Sequence, residues 1–203
     1  PNADTLRVCM VDIGEESPRQ IVCGGSNLYV GEYVVISKPG SMVHWHGEEG
    51  LVKIKETKMR GVDSYGMICG AEEVFLDSLF PPNDEDEIVD LKGLECYPGQ
   101  NISEVIGSND IILEIDNKSL SNRPDLWGHY GIARELSVIY DRELKCVTEE
   151  VSMPPLPKYD ITIEDTSKCN RYIGIVIDNV NTKESPIWLK TLLYNVGLRP
   201  INA

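Results

Sequence analysis

No run of about 18 apolar residues occurs in the 203-residue chain, so no segment suits a membrane-spanning helix. No positively charged and then apolar leader opens it, which sets the expectation of a cytoplasmic protein with no membrane partner. The six cysteines (Cys9, Cys23, Cys69, Cys96, Cys146, Cys169) include no CxxC pair, which argues against structural zinc; no metal site is expected. They are expected to be reduced, buried, small apolar residues. A Gly-rich phosphate loop and a defensible Ser-His-Asp order are also missing, so no catalytic residue is assigned. Basic charge is scarce: 19 Lys and Arg face 33 Asp and Glu, a net charge of −14. That excludes indiscriminate nucleic-acid binding by the whole surface.

The charge is unevenly spread. Residues 1–95 hold 8 basic and 18 acidic side chains, a net of −10, and the remainder holds 11 and 15, a net of −4. Within the acidic half, Lys53, Lys55, Lys58 and Arg60 stand against Glu56 alone, a positive island of +3. Such an island suits phosphate contact, which gives salt-dependent affinity without sequence reading. Alternating lysines also solvate the outer face of an ordinary strand, and the residues alone do not choose.

Apolar alternation and Gly/Pro punctuation predict strands over 6–13, 20–23, 33–37, 51–58 and 66–69, a β-rich region ending near residue 95. Short strands at this spacing suggest a small closed or nearly closed barrel, of a type that spacing does not fix. His44-Trp45-His46 is read as a polar-aromatic loop. In a strand, both imidazoles would share a face and reach one metal, or Trp45 would stack a base. Residues 76–95, with Pro81-Pro82 and the acidic run Asp84–Glu87, are expected to be a solvated loop.

Beyond residue 95, a short helix capped by Asn101 or Ser103 is predicted before Ile106. Residues 111–116 then alternate as a strand. The polar corner SLSNRPD and a helix from Trp127 to Tyr140 follow, with Asn122 or Asp125 available as cap. Pro154, Pro155 and Pro157 forbid helix and ladder alike, which puts a linker at 146–158. Strands at 159–164 and 171–177 come next. A helix opens at Ser185-Pro186, with Trp188, Leu189, Leu192, Leu193 and Val196 as its buried stripe and Gly197 as its stop. Two strands and one helix cannot close a core, so the second domain looks incomplete.

"SNRPDLWGHYGIARELS" resembles the NRPD-x-x-x-x-x-GIARE segment of the beta subunit of bacterial-type phenylalanyl-tRNA synthetase. The residues that carry it are Asn122, Arg123, Pro124, Asp125, Gly131, Arg134 and Glu135. "PNADTLRVCMVDIG", "IVCGGSNLYVGEYVVISKPGS" and "KIKETKMRGVDSYGMICGAEEV" resemble the OB-fold tRNA-binding module of that subunit, of some methionyl-tRNA synthetases and of free-standing tRNA-binding proteins. "RYIGIVIDNV", "SPIWLKTLL" and "GLRPINA" are similar to the opening of the beta subunit's editing domain.

The resemblance implies an α+β chain. An OB-fold barrel over 1–95 would be followed by a strand-helix segment over 96–145, the linker, and the start of an editing domain over 159–203. It implies tRNA contact through Lys53, Lys55, Lys58, Arg60, Asn27 and Ser64; Gly61 and Met67 also match the pattern, Gly61 for turn geometry. In the family the alpha subunit, as an α2β2 heterotetramer, holds the amino-acid and ATP site. ATP and Mg2+ therefore serve the complete enzyme, with no cofactor and no aminoacylation expected of this segment. Segments before the barrel cover the Trp127–Tyr140 helix in the family, so its apolar face is expected to be partly bare here. A free-standing tRNA-binding or chaperone-like module with an appended domain is the alternative.

Overall fold

The structure is a computed structural model that describes residues 5–145 and 160–201. The chain divides into two compact units, the first comprising Pro1–Ile112 with Asn181–Ala203 and the second Leu113–Val180. The linker expected at 146–158 lies outside the described residues.

The first unit is sheet-rich. Strands β1 (Arg7–Val11) and β2 (Arg19–Cys23) pair antiparallel, Arg7 opposite Cys23 and Val11 opposite Arg19. Strand β3 (Ile36–Ser37) pairs with β8 (Met67–Ile68), β4 (Met42–His44) with β5 (Leu51–Lys53), and β6 (Thr57–Met59) with β7 (Val62–Ser64). Each pair is its own two-stranded sheet, and no closed barrel ladder forms among the described residues. The strand expected over 51–58 is two strands. Ile54 turns inward and exchanges hydrogen bonds with Gly40 and Ser41, and the chain then leaves β4 to pair with β7. Arg60 and Gly61 make the intervening two-residue turn with φ of 49° and 89°. Positive φ at both central residues suits the twist of a tight hairpin, and it explains the glycine.

Residues 76–95 are core rather than a solvated loop. Leu76, Leu79, Ile88, Val89 and Leu91 are buried, while Pro81, Pro82, Asn83 and Asp84–Asp86 between them are exposed. Val89 and Leu91 join Val35, Cys69 and Ala71 in one cluster, and Ile88 joins Ile21, Cys23 and Ile68 in another. Each buried Ile, Leu or Val contributes about 1.5–3 kcal/mol. These residues also extend the sheet, since the Val89 N–H donates to the Cys69 carbonyl (3.0 Å) and the Leu91 N–H to that of Tyr33 (2.9 Å). Of the described cysteines, Cys23 and Cys69 are buried, while Cys9, Cys96 and Cys169 are half-buried; all are free thiols.

Helix α1 (Ile102–Val105) is capped by Asn101, whose Oδ1 accepts from the Ser103 N–H at 3.0 Å. Helix α3 (Ile187–Asn195) packs Ile187 on the Leu76, Leu79 and Ile106 cluster of the same unit. Its rotation corrects the expected stripe: Lys190 and Thr191 are buried, whereas Trp188 is 64% exposed. Free carbonyls decide this face, for Thr191 Oγ1 donates to Ile106 (2.8 Å) and Lys190 Nζ to Leu79 (3.1 Å) while pairing with Glu184. Nor does Ser185 cap the helix. Pro186 holds the N-cap position, and Ser185 Oγ is buried without a partner.

In the second unit, helix α2 (His129–Ile139) follows two 3-10 turns at Lys118–Leu120 and Pro124–Leu126. Gly128 is its N-cap, with no side-chain cap; neither Asn122 nor Asp125 serves. Trp127, Tyr130, Val138, Ile139 and Tyr140 stay exposed. The strands expected over 111–116 and 171–177, and in the described part of 159–164, are absent. Ile111 is 84% and Ile115 51% exposed. Alternation prepares a segment for a ladder, but no neighbouring backbone supplies one among the described residues.

Candidate nucleic-acid interface

The basic island lies on the two hairpins β4–β5 and β6–β7. Lys53 ends β5 opposite Met42, Lys55 sits in the connection, Lys58 lies in β6 opposite Asp63, and Arg60 stands at the hairpin tip. All four are exposed. Lys58 Nζ lies 3.8 Å from Asp63 Oδ1 on the open surface, a pairing weak enough for a phosphate to displace. The charges thus follow one stretch of chain from a strand through a tight turn.

Asn27 and Ser64, expected beside them, are engaged internally. Asn27 Nδ2 donates to the Ile88 carbonyl and its Oδ1 accepts from the Ile88 N–H, both at 3.0 Å. This side chain replaces a missing rung between the β2 end and the 88–91 segment. Ser64 is 1% exposed; its hydroxyl accepts from the Val22 N–H at 3.0 Å and donates to the Gly66 carbonyl at 3.2 Å. Both amino acids are spent on backbone groups that would otherwise be buried unpaired. Met67 lies in β8 and packs against the Val35 cluster.

His44 belongs to β4, so the strand half of the alternative holds for it, while Trp45 and His46 lie in the turn beyond. His44 meets Phe75 with ring centroids 5.8 Å apart, and His46 Nδ1 lies 3.7 Å from Glu72. No group of three metal-ligating side chains exists among the described residues. Trp45 remains exposed.

The second unit gathers the other singled-out residues. Arg123 donates through Nε and Nη2 to both Asp125 oxygens (3.0 and 2.9 Å) and through Nη2 to Glu135 (2.9 Å); Arg134 reaches Asp125 at 3.3 Å. The Arg123 guanidinium holds the Asp125 carboxyl below its usual range. Gly131 is what permits this approach. A Cβ there would lie 1.6 Å from the Asp125 carbonyl oxygen, so the helix presses its first turn on the corner's backbone. Pro124 opens the 3-10 turn that carries Asp125. The signal for this pairing in the sequence is only the small residue at position 131.

Residues 1–93 match the tRNA binding domain family. The whole chain is 38% identical over 207 residues to the phenylalanine–tRNA ligase beta subunit of Fusobacterium nucleatum subsp. nucleatum, covering 24% of that relative. Identity is 38% over 208 residues to the beta subunit of Latilactobacillus sakei subsp. sakei and 35% over 217 to that of Lactiplantibacillus plantarum, with 25% of each covered. The chain spans about a quarter of the length of these relatives.

Proposed function

Because residues 1–93 match the tRNA binding domain family and the entire chain is similar to phenylalanine–tRNA ligase beta subunits, we propose that it serves that enzyme as a tRNA-contacting scaffold. In this reading residues 1–95 are an OB-type barrel that carries tRNA phosphates on Lys53, Lys55, Lys58 and Arg60. Residues 96–145 belong to the subunit core, and 159–203 begin the editing domain. The alpha subunit is the partner in an α2β2 assembly. ATP and Mg2+ act at its site, and phenylalanine is joined to tRNA there. The enzyme works in the cytoplasm.

The observation that carries this reading is the end-to-end likeness: 38% identity runs through 100% of the chain. A free-standing tRNA-binding module would account for residues 1–93 and leave the Arg123–Asp125–Glu135 network without a relative. Phosphate contact is assigned to the four exposed cations because Asn27 and Ser64 are already consumed by backbone partners.

The experiment is tRNA binding by this chain at low and moderate salt, beside the Lys53→Ala/Lys55→Ala/Lys58→Ala/Arg60→Ala variant. Each phosphate contact contributes about one to the slope of log affinity against log salt, so the variant is expected to lose a slope of up to about 4. Binding unchanged in the variant removes the island from the interface. Absence of binding by both proteins at low salt leaves this region as scaffold alone.

A further inference from the structure

Helix α3 belongs to the first unit, although the chain reaches it only after passing through the second. Its attachment is mostly polar. Among the described residues, Ile187 is the one α3 side chain that packs on the Leu76, Leu79 and Ile106 cluster, and it is half-buried. Two hydrogen bonds do the rest. Thr191 Oγ1 donates to the Ile106 carbonyl at 2.8 Å, and Lys190 Nζ donates to the Leu79 carbonyl at 3.1 Å. Ile106 is the C-cap of α1, so Thr191 satisfies a helix-end acceptor that α1 itself leaves open.

Docking in this way also carries costs within the same short stretch. The Lys190 side chain is 7% exposed, while that of Glu184, its carboxylate partner, is 72% exposed. The ammonium is thus desolvated and receives an attraction that solvent screens. Ser185, next to Glu184, is 4% exposed, and its Oγ has no hydrogen-bond partner. A buried hydroxyl left unpaired favours any state in which water reaches it. One apolar anchor and two carbonyl bonds are therefore set against a desolvated charge and an orphaned hydroxyl.

We propose that α3 is a latch: residues 184–191 release together from the first unit in a local opening that exposes Ser185, Lys190 and Thr191, while the Val35 cluster and its strands stay folded. Segments held by few apolar contacts open well below the free energy of global unfolding. Ser185 sets the poise of this equilibrium, since its hydroxyl is satisfied in the open state alone. Glu184 is the part of the latch that solvent reaches while it is closed. Docked, α3 holds the stretch from Asn181 against the 76–106 segment, and release frees that stretch to move. The latch is a property of these contacts and holds whether or not the four cations carry tRNA.

The test is amide hydrogen exchange of the full chain, followed residue by residue at several low denaturant concentrations. The α3 amides from Lys190 onward are expected to exchange almost independently of denaturant, at least about a hundredfold faster than the Val89 amide, which reports the core. Ser185→Ala is expected to slow α3 exchange about threefold to tenfold, because it removes the orphaned hydroxyl. Thr191→Val, which keeps the shape and loses the donor, should speed it about tenfold, and Thr191→Ser, which keeps the donor, should speed it less. Glu184→Gln should speed it as well, by a margin that shrinks as salt is raised. The proposal is overturned if α3 and Val89 exchange with one free energy and one denaturant slope. It is overturned equally if Ser185→Ala leaves α3 exchange unchanged or faster, as for a helix that merely frays, or if Thr191→Ser is at least as damaging as Thr191→Val.

Discussion

Replacing Gly131 by alanine tests the contact between the Asn122–Asp125 corner and helix α2. In an unconstrained helix this change stabilises by about 0.5–1 kcal/mol, because alanine loses less backbone freedom than glycine. Here the new methyl carbon would lie 1.6 Å from the Asp125 carbonyl oxygen and 2.7 Å from its carbon. Both neighbours are backbone, so no flexible side chain can yield. Reaching the ~3 Å lower limit of such contacts requires a displacement of about 1.4 Å, comparable to severe overpacking at about 1–3 kcal/mol. That displacement would also stretch the 2.9 Å bond from Arg123 to Glu135 beyond hydrogen-bond range. After the helix gain is subtracted, the expected net loss is about 1–2 kcal/mol, roughly tenfold faster exchange of the α2 amides through local opening. Hydrogen exchange followed residue by residue is the assay, with Gly128→Ala as control. Gly128 has extended backbone and no neighbour within 4 Å, so its replacement should cost under about 1 kcal/mol, the difference between glycine and alanine at an N-cap. If Gly131→Ala protects α2 as well as glycine or better, the helix does not press on the corner and the reasoning fails.

Ser64→Ala should destabilise the first unit by about 1–3 kcal/mol in urea denaturation, since it strands the buried Val22 N–H; full stability would refute the assigned bond. Asp125 has a pKa depressed below 3.8, so its stabilising charge is present above that value and is lost as pH falls through the lower folded value. The Trp127 indole, which donates to the Leu120 carbonyl at 3.2 Å, should report loosening of the corner below about pH 3.8, and Asp125→Asn should show no such transition. Burial pushes the Cys69 thiol from 9.0 up to about 11, which lowers its thiolate fraction at pH 8 about a hundredfold. Iodoacetamide should therefore label Cys96 and Cys169 well before Cys69, as read by peptide mass mapping; equal rates would contradict the burial.

What the sequence exposed depended on whether an element's cause was local. Strands β1 and β2 carry their own apolar alternation and end at glycines, and they form close to where those signals place them. Strand β4 and the β6–β7 hairpin hold three residues per strand and exist through their partners, a cause that no short window contains. The same holds in reverse at 111–116 and 171–177, where alternation is present and a partner is not. Residues 76–95 misled because an acidic run and two prolines dominate them, while the leucines that enter the core are scattered around that run. At the candidate interface the positive island could be read as charge. The internal duties of Asn27 and Ser64 could not, since their partners lie 61 and 42 residues away in sequence.

The most distinctive residues and the candidate tRNA contacts therefore separate by physical role. Arg123 gives its guanidinium to Asp125 and Glu135 together, and Gly131 admits the Asp125 carbonyl against the helix. A cation committed in this way orders a corner more readily than it recruits a phosphate, because any new partner must first displace two carboxylates. Lys53, at the end of β5, and Lys55, in the connection after it, are by contrast exposed and keep the side-chain freedom that lets a cation follow a nucleic-acid backbone. Binding by such cations is sensitive to salt and indifferent to base sequence, and here it works against a surrounding net charge of −10. On the proposed reading, an island of +3 in that field would hold tRNA firmly only once other contacts had brought the RNA to it. On the proposed reading the surface would suit orienting a tRNA already held in a larger assembly, and its affinity should rise less steeply on lowering salt than that of a uniformly basic domain of equal contact number, because lower salt also unscreens the repulsion from the surrounding acidic charge.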